Sequence, residues 1–159
     1  MIARTAFIAT TVSTIGCGVT AGVLLAFSVS VMPALRRQPA GAAIASMQQM
    51  NIDIVSPAFM TIFLGSAATV TLAAVTSLWS GQDTRILVTV GAVLFVVGCV
   101  AVTIAINVPM NDALAAVDPD SASGAQVWAD YMERWTRWNH ARTVAAIAAT
   151  AAMAVASRR

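Results

Sequence analysis

Near the C-terminus the chain reads RWTRWNHAR, residues 134–142, and runs directly into an alanine-rich apolar stretch. If the segment is helical, at about 100° per residue Trp135, Trp138, Asn139 and Arg142 share one face. That face offers aromatic walls, an amide and a planar two-pronged cation. Such a set is either a candidate functional pocket or an interfacial anchor of Trp and Arg at headgroup level. The opposite face carries Glu133 and Arg137 at i,i+4, with His140 beside them. His140 is the only histidine; as a lone imidazole it is either structural or a candidate proton acceptor. Upstream, NVPMN sets Asn107 and Asn111 around Pro109. Their amides either satisfy carbonyls freed by the proline or hold a polar ligand and pair with Arg142. No second strong ligand stands at a useful spacing from His140, so no metal or haem site is expected.

The elements that must position these residues follow from composition. The 159-residue chain is 58% hydrophobic and 10% charged, whereas soluble domains carry roughly 25% charged residues. A soluble protein of this size cannot hide so much apolar surface, so the expected solvent is a bilayer. The net charge of +2 is too small and scattered for nucleic acid. All nine basic residues are arginine, which fits a GC-rich bacterial genome. A spanning helix needs roughly 20 mostly apolar residues, and four stretches qualify: about 6–32, 56–79, 85–107 and 128–156. Ser56 and Pro57 form a helix-start signal. The last apolar run, 143–156, is too short alone and must begin near Trp128. The expectation is a single all-α domain over 1–159, an integral membrane four-helix bundle. Cys17 and Cys99 are small packing residues, and Gly16, Gly18 and Gly22 allow close helix approach.

Four spans put both termini on one side. The arginine distribution, with the last helix set aside, makes that side the cytoplasm of a bacterial inner membrane. Two long connections, 33–55 and 108–126, face the other side. There VMPALRR (with Met32 and Pro33), SMQQMNIDIVSP (with Gln48 and Asn51), INVPMN and RWTRWNHAR converge into one polar cluster. Ile44, Met47, Met50 or Asn51, and Ile54 recur at helical spacing. An amphipathic helix over 39–53 is expected to lie on the membrane and lid the cluster, with Gln48 or Asn51 dipping inward.

GVLLAFSVSVMPAL, MQQMN, NVPMN and WTRWNHAR, in that order, resemble the anthrone oxygenase-like integral membrane family over essentially the whole chain. Asn107, Pro109, Asn111, Trp135, Asn139 and Arg142 match its pattern; His140 falls in a variable slot. The resemblance implies four membrane helices. For some members it implies oxidation of anthrones to anthraquinones in aromatic polyketide pathways, without a known cofactor; many bacterial members have no assigned activity. The implied function is a monooxygenase at the membrane with molecular oxygen as co-substrate and no cofactor or metal. Arg142, Asn139, Asn107, Asn111 and His140 are the catalytic candidates. Trp135, Trp138, Met32, Pro33, Asn51 and Pro109 are the substrate-binding ones. Asp112, Asp53 and His140 compete for the role of base. The alternative is a non-catalytic accessory subunit or a binder of lipid, quinone or another hydrophobic ligand. A transporter is disfavoured by four spans without an internal repeat unless the chain forms a homo-oligomer. The expected partners are the bilayer and a hydrophobic aromatic small molecule.

Overall fold

A computed structural model describes residues 2–81 and 83–158. Gln82 and Arg159 lie outside the described residues. Helix α1 covers residues 2–35, α2 Ala40–Asp53, α3 Pro57–Ser80, α4 Arg85–Ala115 and α5 Ala122–Ala156; no strand occurs among the described residues. Three helices are long and apolar enough to cross a membrane: Arg4–Leu35, Pro57–Ser80 and Arg85–Ala115. Among the described residues there are thus five helices, of which α2 is the one expected over 39–53; three of the four expected spans have spanning composition, and α5 does not. α5 has the length but not the composition, because Asp130, Glu133, Arg134, Arg137 and Arg142 fall in its first two thirds. Its 35 residues extend about 52 Å, well beyond a hydrocarbon layer of about 30 Å.

Several expected boundaries also move. α5 begins at Ala122 rather than near Trp128, because Ser121 Oγ accepts the Gly124 N–H at 2.9 Å. Ser56 caps α3 in the same way, accepting from the Phe59 N–H at 3.4 Å ahead of Pro57. Neither Pro33 nor Pro109 ends its helix. α1 winds as a π-helix over Phe27–Val31 and α4 over Val96–Ala101 and Thr103–Asn107. The Met32 N–H bonds to Phe27 O, and the Val108 N–H to Thr103 O, five residues back in each case. Each is the residue before a proline. The wider turn makes room for the ring that would collide with the preceding turn of a regular α-helix. The connection expected over 108–126 consequently shrinks to residues 116–121.

Contacts between the long helices run antiparallel. α1 meets α3 at Gly16 and Ser66, and α5 meets α1 at Gly18 and Thr150 and again at Ser28 and Thr143. α4 meets α5 at Gly91 against Ala152 and Met153, at Gly98 against Ala145, and at Thr103 against Arg142. Hydroxyls along the helices return to their own backbone; Thr10, Ser13 and Thr20 donate to the carbonyls of Ala6, Ala9 and Gly16. This makes them inexpensive in an apolar setting. Two apolar cores result. One joins Cys17, Val70, Val88, Phe95, Cys99 and Ala149 along the bundle. The other gathers Met32, Leu35, Ile44, Met47, Leu114, Trp128, Tyr131 and Trp135 at the end where α2 lies. α2 is fastened there by Gln48 Nε2, which donates to Leu114 O at 2.8 Å and Val117 O at 3.0 Å and so satisfies carbonyls at the end of α4.

Of the three glycines singled out in α1, Gly16 is pressed against Ser66, Gly18 makes ordinary contact, and Gly22 has nothing near it. The tightest approach between α4 and α5 is at Gly98, where a β-carbon would stand 2.7 Å from Ala145 Cβ. Gly98→Ala is expected to lower stability by about 1–3 kcal/mol through overpacking. Gly22→Ala is expected to be neutral or to stabilise by up to about 1 kcal/mol. Unfolding of the two variants in detergent micelles, compared with the wild type, checks both.

Candidate functional site

Between the two cores lies a cavity of about 370 Å³, within the range of roughly 300–1,000 Å³ common for small-molecule sites. Its walls are mostly apolar: Phe27 from α1, Phe59 and Phe63 from α3, and Trp135 from α5. The polar groups on its lining are Asn51, Thr103, Asn111, Asn139 and Arg142.

Arg142 is only 5% exposed. Its Nη1 donates to Thr103 Oγ1 at 2.9 Å and its Nη2 to Asn139 Oδ1 at 2.8 Å. The guanidinium carbon stands 5.4 Å from the centroid of the Trp135 ring, a cation–π contact. Nε is buried without a partner. Among the described residues no carboxylate comes within 4 Å; the only ion pairs are the exposed Arg134–Asp130 and Arg137–Glu133 pairs, each at i,i+4. A buried cation held by neutral groups and facing a cavity leaves room for a negatively charged ligand oxygen.

Asn139 fixes that guanidinium. Its Nδ2 donates to Leu24 O and to Ser28 Oγ, both at 2.8 Å, leaving Oδ1 for Arg142. Asn111 plays the same part for the aromatic wall: Oδ1 accepts from Tyr131 Oη and from Trp135 Nε1, both at 2.8 Å. Trp128, Tyr131 and Trp135 stack in sequence, with ring centroids 5.6 and 5.7 Å apart, and Phe27 tilts against Trp135 at 5.8 Å.

The structure brings together Arg142, Asn139, Trp135, Asn111 and Asn51 at the cavity. The other candidates sit elsewhere. Asn107 is buried behind the wall, donating to Trp135 O at 3.4 Å while its Oδ1 has no partner. Trp138 is exposed and off the lining, because it lies about 60° round the helix from Trp135. His140 is exposed, with Nδ1 2.9 Å from Ser28 Oγ rather than in the cavity. Met32 is packed into the end core, and Pro33 and Pro109 shape their helices without lining the cavity. Asp53 is exposed and accepts from Gln49 Nε2; Asp112 is exposed too. None of the described lining residues carries a carboxylate, imidazole or thiol, and no cluster of three or more His, Cys, Asp or Glu able to hold a metal occurs among the described residues. Tyr131, Thr103 and Ser28 escaped the sequence reading. Tyr131 was detectable as the middle of a Trp128–Tyr131–Trp135 stripe at helical spacing. Thr103 stands one turn before Asn107, but nothing local marks it or Ser28 as a partner of α5.

The sequence profile of the anthrone oxygenase family matches residues 58–152, more than half of the chain, and the chain belongs to that family. The match takes in NVPMN and WTRWNHAR and leaves out the two earlier segments. No curated protein sequence and no solved structure matches the chain.

Asn111→Leu strands two buried donors, the Tyr131 hydroxyl and the Trp135 indole N–H. Each orphaned donor is expected to cost about 1–3 kcal/mol. Asn111→Asp keeps the shared acceptor and is expected to keep most of that stability. Thermal melts of the two variants, with Trp fluorescence as the reporter, distinguish them.

Proposed function

We propose that this family member is a cofactor-independent oxygenase of anthrone-like aromatic substrates at the membrane. The observation that carries the proposal is Arg142, a buried guanidinium without an anionic partner, set against an aromatic wall on a cavity of ligand size. An anthrone has an acidic methylene between two aromatic rings, opposite a carbonyl. Loss of one proton spreads negative charge onto that carbonyl oxygen. Arg142 stabilises the oxyanion by preorganised electrostatics, held in position by Asn139 and Thr103. Trp135 and Phe27 receive the ring system. The anion passes an electron to O2; radical and superoxide recombine to form a C–O bond. The resulting hydroperoxide loses water as its O–O bond breaks. In sum, anthrone and O2 give anthraquinone and water.

Among the described residues no titratable base lines the cavity, so in this reading the proton leaves to water, driven by the stabilised anion. The same feature favours a second reading, a binder of hydrophobic anions that performs no chemistry. In either reading the second half of α5, 143–156 with the turn before it, completes a fourth membrane crossing antiparallel to α1. Both termini then face the cytoplasm of a bacterial inner membrane, and α2 with the first half of α5 stands on the opposite side.

Oxygen uptake and anthraquinone absorbance, measured with an anthrone in nanodiscs against the spontaneous rate, test the proposal. Arg142→Lys keeps the charge but cannot hold Thr103, Asn139 and a ligand oxygen together. It is expected to lower the rate about 100- to 1000-fold. His140→Ala is expected to leave the rate near that of the wild type. A wild-type rate no faster than background, with an anthraquinone still bound, points to the binder.

A further inference from the structure

The cavity has one closed end and one open side. Toward the end of the bundle it is roofed by the core that holds Met32, Ile44, Met47, Leu114 and Trp128. α2 is fastened across that roof by the two Gln48 hydrogen bonds. On the α1 and α5 sides the lining is partly or fully buried. The remaining side lies between α3 and α4. These helices pack closely along Arg85–Phe95, where the Phe63 and Phe95 ring centroids are 6.2 Å apart. Beyond Phe95 they share no extensive packing. Val55 and Leu64 on one rim, and Ile104 and Val108 on the other, line the cavity and are also exposed on the outer surface of the molecule. Leu64 and Ile104 belong to two of the helices with membrane-spanning composition, so in a bilayer this part of the rim would face hydrocarbon rather than water.

We propose that the slot between α3 and α4 is a lateral portal through which a planar aromatic substrate dissolved in the bilayer reaches Arg142. This rests on the functional reading above and adds the route and the physical state of the substrate. The chemistry that suits the slot is amphiphilic: an apolar ring system lodged among Phe59, Phe63 and Trp135, with one oxygen directed inward to the cation. A substituent on the far side of the rings can remain in lipid, so the site tolerates an alkyl chain there and excludes a second charged group.

The test uses the full chain in nanodiscs and 1,8-dihydroxyanthraquinone as the probe, followed by its own visible absorbance. Leu64→Trp and Ile104→Trp narrow the slot without touching Arg142, Asn139 or Trp135. Each is expected to slow probe association by about tenfold or more. Ile15→Trp, which enlarges an exposed side chain of α1 away from the cavity, is expected to leave association unchanged. Wild-type association rates in both slot variants overturn the portal. Portal behaviour without anthrone turnover overturns the oxygenase reading and leaves the portal standing. No binding by the wild type overturns both.

Discussion

A guanidinium sits inside this bundle with only neutral partners among the described residues, and much of the surrounding structure serves to make that tolerable. Placing an arginine at the centre of a membrane helix costs about 2.5–3.5 kcal/mol on insertion scales. A carboxylate would offset the cost and would also occupy the cavity. The chain uses an amide, a hydroxyl and an indole face instead. Each of these is fixed by something else: Asn139 by the Leu24 carbonyl and Ser28, Thr103 by the Cys99 carbonyl, Trp135 by Asn111. The polar network thus ties α1, α4 and α5 together around one unneutralised charge.

The division into two cores follows from the same constraint. Along the bundle, small residues let helices meet closely, and Gly91 and Gly98 bring α4 onto the alanines of α5. At the α2 end large aromatic and sulfur-containing side chains fill wider spaces. The cavity lies where one packing style gives way to the other. Rigid small-residue contacts hold the floor, and a bulky, hydrogen-bonded aromatic stack forms the wall.

Much of the site could be read from WTRWNHAR, since Trp135, Asn139 and Arg142 recur at steps of four and three and share a face in any helix. The same arithmetic admitted Trp138 too generously, since about 60° of rotation is enough to turn a side chain from a cavity to the outside. The helix count was less legible. Hydropathy places a helix in a membrane by its average, and α5 averages a polar half with an apolar one. The prolines misled because their usual effect is local and repulsive, whereas a π turn just upstream absorbs it and is not encoded by any residue type. The long-range partners Ser28 and Thr103 carried no signal, since a hydroxyl in a helix is equally content with its own backbone.

The π turn over Thr103–Asn107 bears on how such a site arises and is lost. Along a regular α-helix, residues four apart advance about 40° beyond a full turn, so a stripe of three would drift by about 80°. Yet Thr103, Asn107 and Asn111 all meet α5, at Arg142, at Trp135 O, and at Tyr131 with Trp135. The wider turn takes up the drift by spending one extra residue. Deleting a single codon there would let the helix close into regular α form with Thr103 and Asn111 seven residues apart, within about 20° of the same face. A relative one residue shorter in this stretch would keep that shared face and lose the wide turn that seats the Pro109 ring.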